Sequence, residues 1–242
     1  PTLVYNCQIN GFRFSFEGFN NCTGIKVGNF RDNTKILNAR GTCENNGTGN
    51  EGIRFDILNW NTDIQDCYMV SGFDKAYSIR NGSNIISLIN CKGNTNTTNI
   101  FIANGEFATE NTNIIGGYYQ RHDIGVEDRG VHTTFTGVYI EKPYITDVFF
   151  NGASAPVISS LHITGGEGAP SSGIKARNTF GASIKGVYNS SNRTLGLYDF
   201  DNSNTYCFAE QQRSATLGTV LGDTTGLKLK TNWVEATAVN GD

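Results

Sequence analysis

Residues 75–103 read KAYSIRNGSNIISLINCKGNTNTTNIFIA. Two short alternating segments, Tyr77-Ser78-Ile79 and Ile100-Phe101-Ile102, stand 23 residues apart. Between them lies a third, carrying Leu88 and Cys91, and Asn or Gly falls near the junctions. In an extended chain the first and third residues of such a triplet point the same way, so each segment reads as a short strand with one buried face. Strands this short leave no room for a helix of normal length within one repeat unit.

The same pattern extends outward in both directions. One series begins at Ile25 and Ile53, passes through Tyr77 and Ile100, and continues at Ile124, Val148, Ile174 and Leu195, with steps of 28, 24, 23, 24, 24, 26 and 21 residues. A second, interleaved series runs Val4/Cys7/Ile9, Ile36/Ala39, Ile64/Cys67/Met69, Leu88/Cys91, Ile115/Tyr118, Phe135/Val138/Ile140, Ile158/Leu161/Ile163 and Ile184/Val187. Two series with one mean period predict an all-β, right-handed parallel β-helix of about eight stacked coils, each of roughly 24 residues. The Leu-x-x-Leu-x-Leu pattern of leucine-rich repeats is absent.

Composition agrees with tight, repeated corners. The chain of 242 residues holds 29 Gly and 29 Asn, both tolerant of positive φ, but only 4 Pro. Residues 1–204 read as the helix and 205–242 as a short C-terminal β cap or oligomerisation segment, with Leu217, Val220, Leu221, Leu227, Leu229, Trp233 and Val234 in alternation. Because the chain opens inside a strand-like stretch at Pro1–Val4, it is read as part of a longer protein.

A formal charge of −3 and the lack of a basic run argue against nucleic acid as a partner. No apolar stretch reaches membrane-spanning length, so no membrane insertion is expected. The six cysteines show no paired CxxC spacing. Neither a metal ligand set nor a cofactor motif is read. Cys7, Cys67 and Cys91 fall at one repeat position and are expected as a buried ladder of free thiols, which fits a reducing compartment.

The Gly-Ile openings at 24–25, 52–53 and 173–174 and turns such as Asn90-Cys91 give the chain a resemblance. It resembles bacteriophage tailspike and tail-appendage proteins with a pectate-lyase-like β-helix, over about residues 3–200. The likeness is one of architecture. It implies a homotrimer of the virion tail, assembled in the host cytoplasm and acting at the bacterial cell surface. Such a protein binds, and often depolymerises as a glycoside hydrolase or lyase, a surface polysaccharide; the alternative is a non-catalytic receptor-binding or structural segment. The calcium-binding aspartates and arginine base of pectate lyases have no match. Asn61-Thr62-Asp63 matches one polygalacturonase motif without the Asp-Asp that should follow.

Stacking turns a sequence offset into a column in space. The residue after each second-series centre reads Gln8, Arg40, Tyr68, Lys92, Tyr119, Tyr139, His162 and Tyr188, expected to face outward. Aromatic rings suit the CH faces of sugars, so Tyr119, Tyr139, His162 and Tyr188 are candidate substrate-binding residues. A trimer interface and plain strand preference for Tyr are the competing readings. A second outward column is expected to hold Asp56, Arg80, Ala103, Glu127, Asn151, Arg177 and Tyr198, with Phe101 and Phe149 beside it. Here Arg80, Arg177 and Phe149 are the binding candidates, against simple cross-strand charge pairing.

Glycosidic hydrolysis needs two carboxyl groups. Aligning Asp128 with Asn104 places Glu106 one coil away and two residues along, near 8 Å by strand and rung spacing. Glu106, Asp128 and its neighbour Glu127 are therefore the catalytic candidates, with Glu110 in reserve. His122, His132 and His162 do not come into register for a nucleophilic triad.

Overall fold

The computed structural model describes residues 4–44, 48–56, 58–165, 172–190, 196–210, 213–214 and 222–229. Among them every regular element is a strand, and successive coils pair in parallel. The chain is a parallel β-solenoid. A ten-stranded sheet runs the length of the stack beside a fourteen-stranded one, and the latter bends within its long strands Lys92–Ala103, Tyr118–Asp128 and Val138–Asn151. Each coil thus has three faces.

Period-two alternation explains the interior. One inward column of the ten-stranded sheet is Ile36, Ile64, Leu88, Ile114, Phe135, Ile158 and Ile184, all fully buried. Across the core stand Ile53, Tyr77, Ile100, Val126, Val148, Ile174 and Tyr198. Like residues stack on like at about 4.8 Å per rung, so each adds apolar contact above and below.

The coil enters the ten-stranded sheet through a corner held at positive φ. Asn6, Asn33, Asn61, Ile85, Asn111, His132, Ala155, Gly181 and Tyr206 occupy that corner in successive coils. At several rungs the corner N–H donates to the next coil: Asn111 N to Val131 O and His132 N to Ser154 O. Asn suits this conformation, whereas a β-branched side chain crowds its own backbone there. Ile85 has φ +56° and is 47% exposed, so burial does not compensate for the strain. Replacing Ile85 by Asn should therefore stabilise the fold by about 1 kcal/mol, raising the thermal midpoint by roughly 2–4 °C in a melting experiment.

Several registers differ from those read in the sequence. Cys67 and Cys91 do stack in the core, but Cys7 stands outside their column: Gln8 pairs with Lys35, which aligns Cys7 with Thr34. Gln8 is accordingly on the ten-stranded sheet, and Arg13 is the residue that pairs with Arg40. Val126, two residues beyond Ile124, is what aligns with Ile100. The ladder also crosses position 205, because Cys207–Ala209 pairs with Ser183–Ile184 and Leu227–Leu229 with Cys207–Ala209. Leu195, Leu217, Val220, Leu221, Trp233 and Val234 lie outside the described residues.

Candidate functional site

The aromatic column exists, one residue away from where the sequence placed it in one coil. Arg13, Arg40, Tyr68, Lys92, Tyr118, Tyr139, His162 and Tyr188 are consecutive partners on the fourteen-stranded sheet. The rings touch in sequence: Tyr118 to Tyr139 at 5.1 Å between centroids, Tyr139 to His162 at 4.5 Å, and His162 to Tyr188 at 4.7 Å. The last two contacts are edge-to-face, the favoured geometry for π systems of this kind. Arg40 stacks its guanidinium 5.4 Å from the Tyr68 ring.

Hydrogen bonds and burial set the state of these rings. Tyr118 donates to Gln120 Oε1 at 2.8 Å, and Tyr139 donates to Glu141 Oε2 at 3.1 Å. Partial burial and the Glu141 carboxylate hold both phenols above their ordinary pKa. Burial also lowers the His162 pKa, and its Nε2 is buried without a hydrogen-bond partner. At neutral pH the centre of the ladder is therefore an uncharged aromatic surface with fixed polar edges.

Tyr119 is not part of it. Its ring is fully buried, in the inward column of Met69, Gly93 and Ile140. A glycine at 117 makes this possible. A Cβ there would lie 2.5 Å from Cys91 O and 3.0 Å from the Tyr119 hydroxyl, so the phenol takes space that a Cys or Val occupies in other coils. Tyr118 is the outward residue that sequence reasoning missed.

On the other bent face of the same sheet, the charges pair among themselves. Arg80 binds Glu51 and lies over Phe101 at 5.4 Å. Arg177 meets Asp199 at 2.7 Å and Asp201 at 3.0 Å, while Lys175 lies 5.4 Å from the Phe149 ring. Arg80 and Arg177 do share a column, but Arg129 and Asp201 stand where Glu127 and Tyr198 were expected. Such partnered charges act as cross-rung links. The placement of Arg80, Arg177 and Phe149 favours the structural reading of this face.

The three acidic candidates do not converge. Asp128 aligns with Ile102 rather than Asn104, because the coil from Ile100 to Val126 is two residues longer than read. Its side chain points inward, in the column of Phe55, Ile79, Ile102, Phe150 and Ala176, and is fully buried. Oδ1 accepts from Gly130 N at 2.8 Å and Thr133 Oγ1 at 3.0 Å, while Oδ2 has no hydrogen-bond partner. Burial raises the Asp128 pKa to about 6. Glu127 points the opposite way and is held by Arg129 at 2.5 Å and Asn151 at 3.1 Å. Glu106 is exposed on the loop after Ala103, and Glu110 is reached by Asn84 Nδ2 at 3.5 Å. Adjacent strand residues face opposite ways, so Asp128 and Glu127 cannot share one surface site.

A cleft absent from the sequence reading lies at the corner just beyond the ladder. It encloses about 240 Å³ between Phe73–Asp74, Thr95–Thr97, Arg121–Asp123 and Tyr144. Its residues come together only through the correct register of the long coil, which periodicity alone does not supply.

Fold and ladder together define the class: a parallel β-solenoid presenting a column of aromatic side chains along one flat face. No protein-family description, curated protein or solved structure matches the chain.

Proposed function

We propose that this chain is a polysaccharide-binding β-solenoid of the bacteriophage tail-appendage type, with Tyr68, Tyr118, Tyr139, His162 and Tyr188 as the glycan platform. The continuous ring contacts from Tyr118 to Tyr188 carry this reading. They form a rigid, uncharged aromatic strip with polar edges at Gln120 and Glu141, which matches a polymer whose units offer CH faces and hydroxyl groups. Arg13, Arg40 and Lys92 in the same column add cationic donors toward one end. The separation of Glu106, Glu127 and Asp128 favours binding over cleavage by these acids.

On this reading the ligand is a surface polysaccharide of the host bacterium, and the protein is a homotrimer carried in the virion tail and assembled in the host cytoplasm. The buried thiols at Cys67 and Cys91 support assembly in a reducing compartment. Retention on immobilised bacterial surface polysaccharides tests the binding function: at least one should retain the chain. Failure of every polysaccharide in a broad panel would refute it. Reducing-end release from the retained polymer is expected to stay at background; release would establish a depolymerase instead. Sedimentation should give about three times the 26.3 kDa chain mass, and a monomer across micromolar concentrations would overturn the trimer.

A further inference from the structure

The corner cleft has the marks of a built site. Asp74, Thr97 and Asp123 are aligned on three successive coils, one residue before the paired positions Lys75, Thr98 and Ile124. Two rungs separate the aspartates, about 9.6 Å between Cα atoms, which suits the two edges of a sugar ring, and among the described residues no group of three or more His, Cys, Asp or Glu gathers to hold a metal ion. Asp74 is fixed by Gly49 N, which donates to its Oδ2 at 2.5 Å.

The floor is rigid. Asn96 Oδ1 accepts from Phe73 N at 3.1 Å, Asn96 Nδ2 donates to Asn99 Oδ1 at 2.9 Å, and Asn99 Nδ2 lies 2.9 Å from His122 Nδ1. All three side chains are buried. One wall comes from a bulge: the pairing register shifts between His122 and Ile124, and the extra residue on the opposing strand brings Tyr144, half exposed, to the cleft. Bulges often re-aim side chains beside functional sites.

The corner itself carries unfavourable residues. Thr95, Arg121 and Lys142 have φ of +55°, +48° and +55°, where Asn or Gly serves at many other corners of this chain. Thr95 and Arg121 both line the cleft, so the turn at this corner sets where their side chains stand at its rim.

We propose that this cleft binds a single neutral sugar unit, a branch or terminal residue of the polymer whose main chain lies along the aromatic ladder. The site offers both acceptors, Asp74 and Asp123, and donors, Arg121 and Thr97, as sugar hydroxyls require, while Tyr144 supplies an apolar face. Its volume of about 240 Å³ has room for one sugar ring. Two carboxylates against one guanidinium disfavour a sugar acid. Arg121 follows Tyr118 by three residues on one strand, about 10 Å, so both sites can engage one polymer. The link to the ladder rests on the function proposed above; the cleft's own occupancy does not.

Amide spectra of the protein titrated with methyl glycosides of neutral hexoses and with methyl glucuronide provide the test. At least one neutral glycoside should saturably shift Thr97, Asp123 and Tyr144, and the glucuronide should not. Asp123→Asn, Thr97→Val and Tyr144→Ala, each with its fold intact by the same spectra, should weaken that binding at least tenfold, and Ile85→Asn, on the ten-stranded sheet, should leave it unchanged. If no neutral glycoside shifts these amides, or if all three variants bind as well as the parent, the proposal fails. Polymer retention by the ladder with an empty cleft would end this inference alone, and glycoside capture without polymer retention would end the ladder reading alone.

Discussion

Replacing Tyr139 and His162 together by alanine should lower affinity for the retained polysaccharide by about 100-fold, with the fold intact. The two rings form the centre of the ladder, each in contact with the other and with Tyr118 or Tyr188. Losing one aromatic platform costs about 1.4 kcal/mol, a factor of ten, and the two losses multiply. Both side chains point out from the sheet, so truncation leaves the interior columns untouched. The matching control is Tyr119→Phe. That hydroxyl is buried with no hydrogen-bond partner, so its removal should leave binding unchanged and stabilise the chain by about 1 kcal/mol. Affinity by surface-immobilised polysaccharide and stability by urea melting read the two effects separately. Binding lost in Tyr119→Phe but kept in the double variant would refute the assignment of faces.

The second large effect concerns Asp128. Its carboxyl occupies an otherwise apolar column, and burial lifts its pKa from 3.8 to about 6. A raised carboxyl pKa means that the folded state favours the neutral acid. The stability this contributes is present below pH 3.8 and is lost as pH rises through about 6, a change of about 3 kcal/mol. In Asp128→Asn the group no longer titrates, so the stability difference between variant and parent should grow in the variant's favour by about that amount from pH 4 to pH 7. Asn keeps an oxygen to accept from Gly130 N and Thr133 Oγ1. Urea melts at several pH values check this, with the difference between the two proteins cancelling the other carboxylates. Parallel curves would mean that Asp128 ionises freely, as a solvent-facing acid would.

The register errors have one physical origin. Alternation reports which face a residue takes, but it is blind to a shift of two. Ile124 and Val126 are equivalent by parity, and choosing Ile124 displaced the expected partners of Asp128 and Glu127 without disturbing a single in-or-out assignment. A shift of one is worse, because it turns the strand over. Ile114 and Ile115 are adjacent and both apolar, yet Ile114 is buried and Ile115 is 43% exposed. Taking Ile115 as the core member carried Tyr118 inward and Tyr119 outward. The Gly116-Gly117 pair, lacking side chains, held no hydrophobic mark to correct the frame.

By itself the sequence determined the parallel solenoid, the inward columns of most coils and the existence of an aromatic outward column, because burial repeats once per coil and leaves its period in the chain. Tertiary structure alone decided which Tyr joins that column, that Asp128 aligns with Ile102, and that Asp74, Thr97, Asp123 and Tyr144 share a cleft. Those facts depend on coil length and on a bulge. Both are set by how one coil seats on the next, a contact between residues more than twenty positions apart that no local pattern encodes.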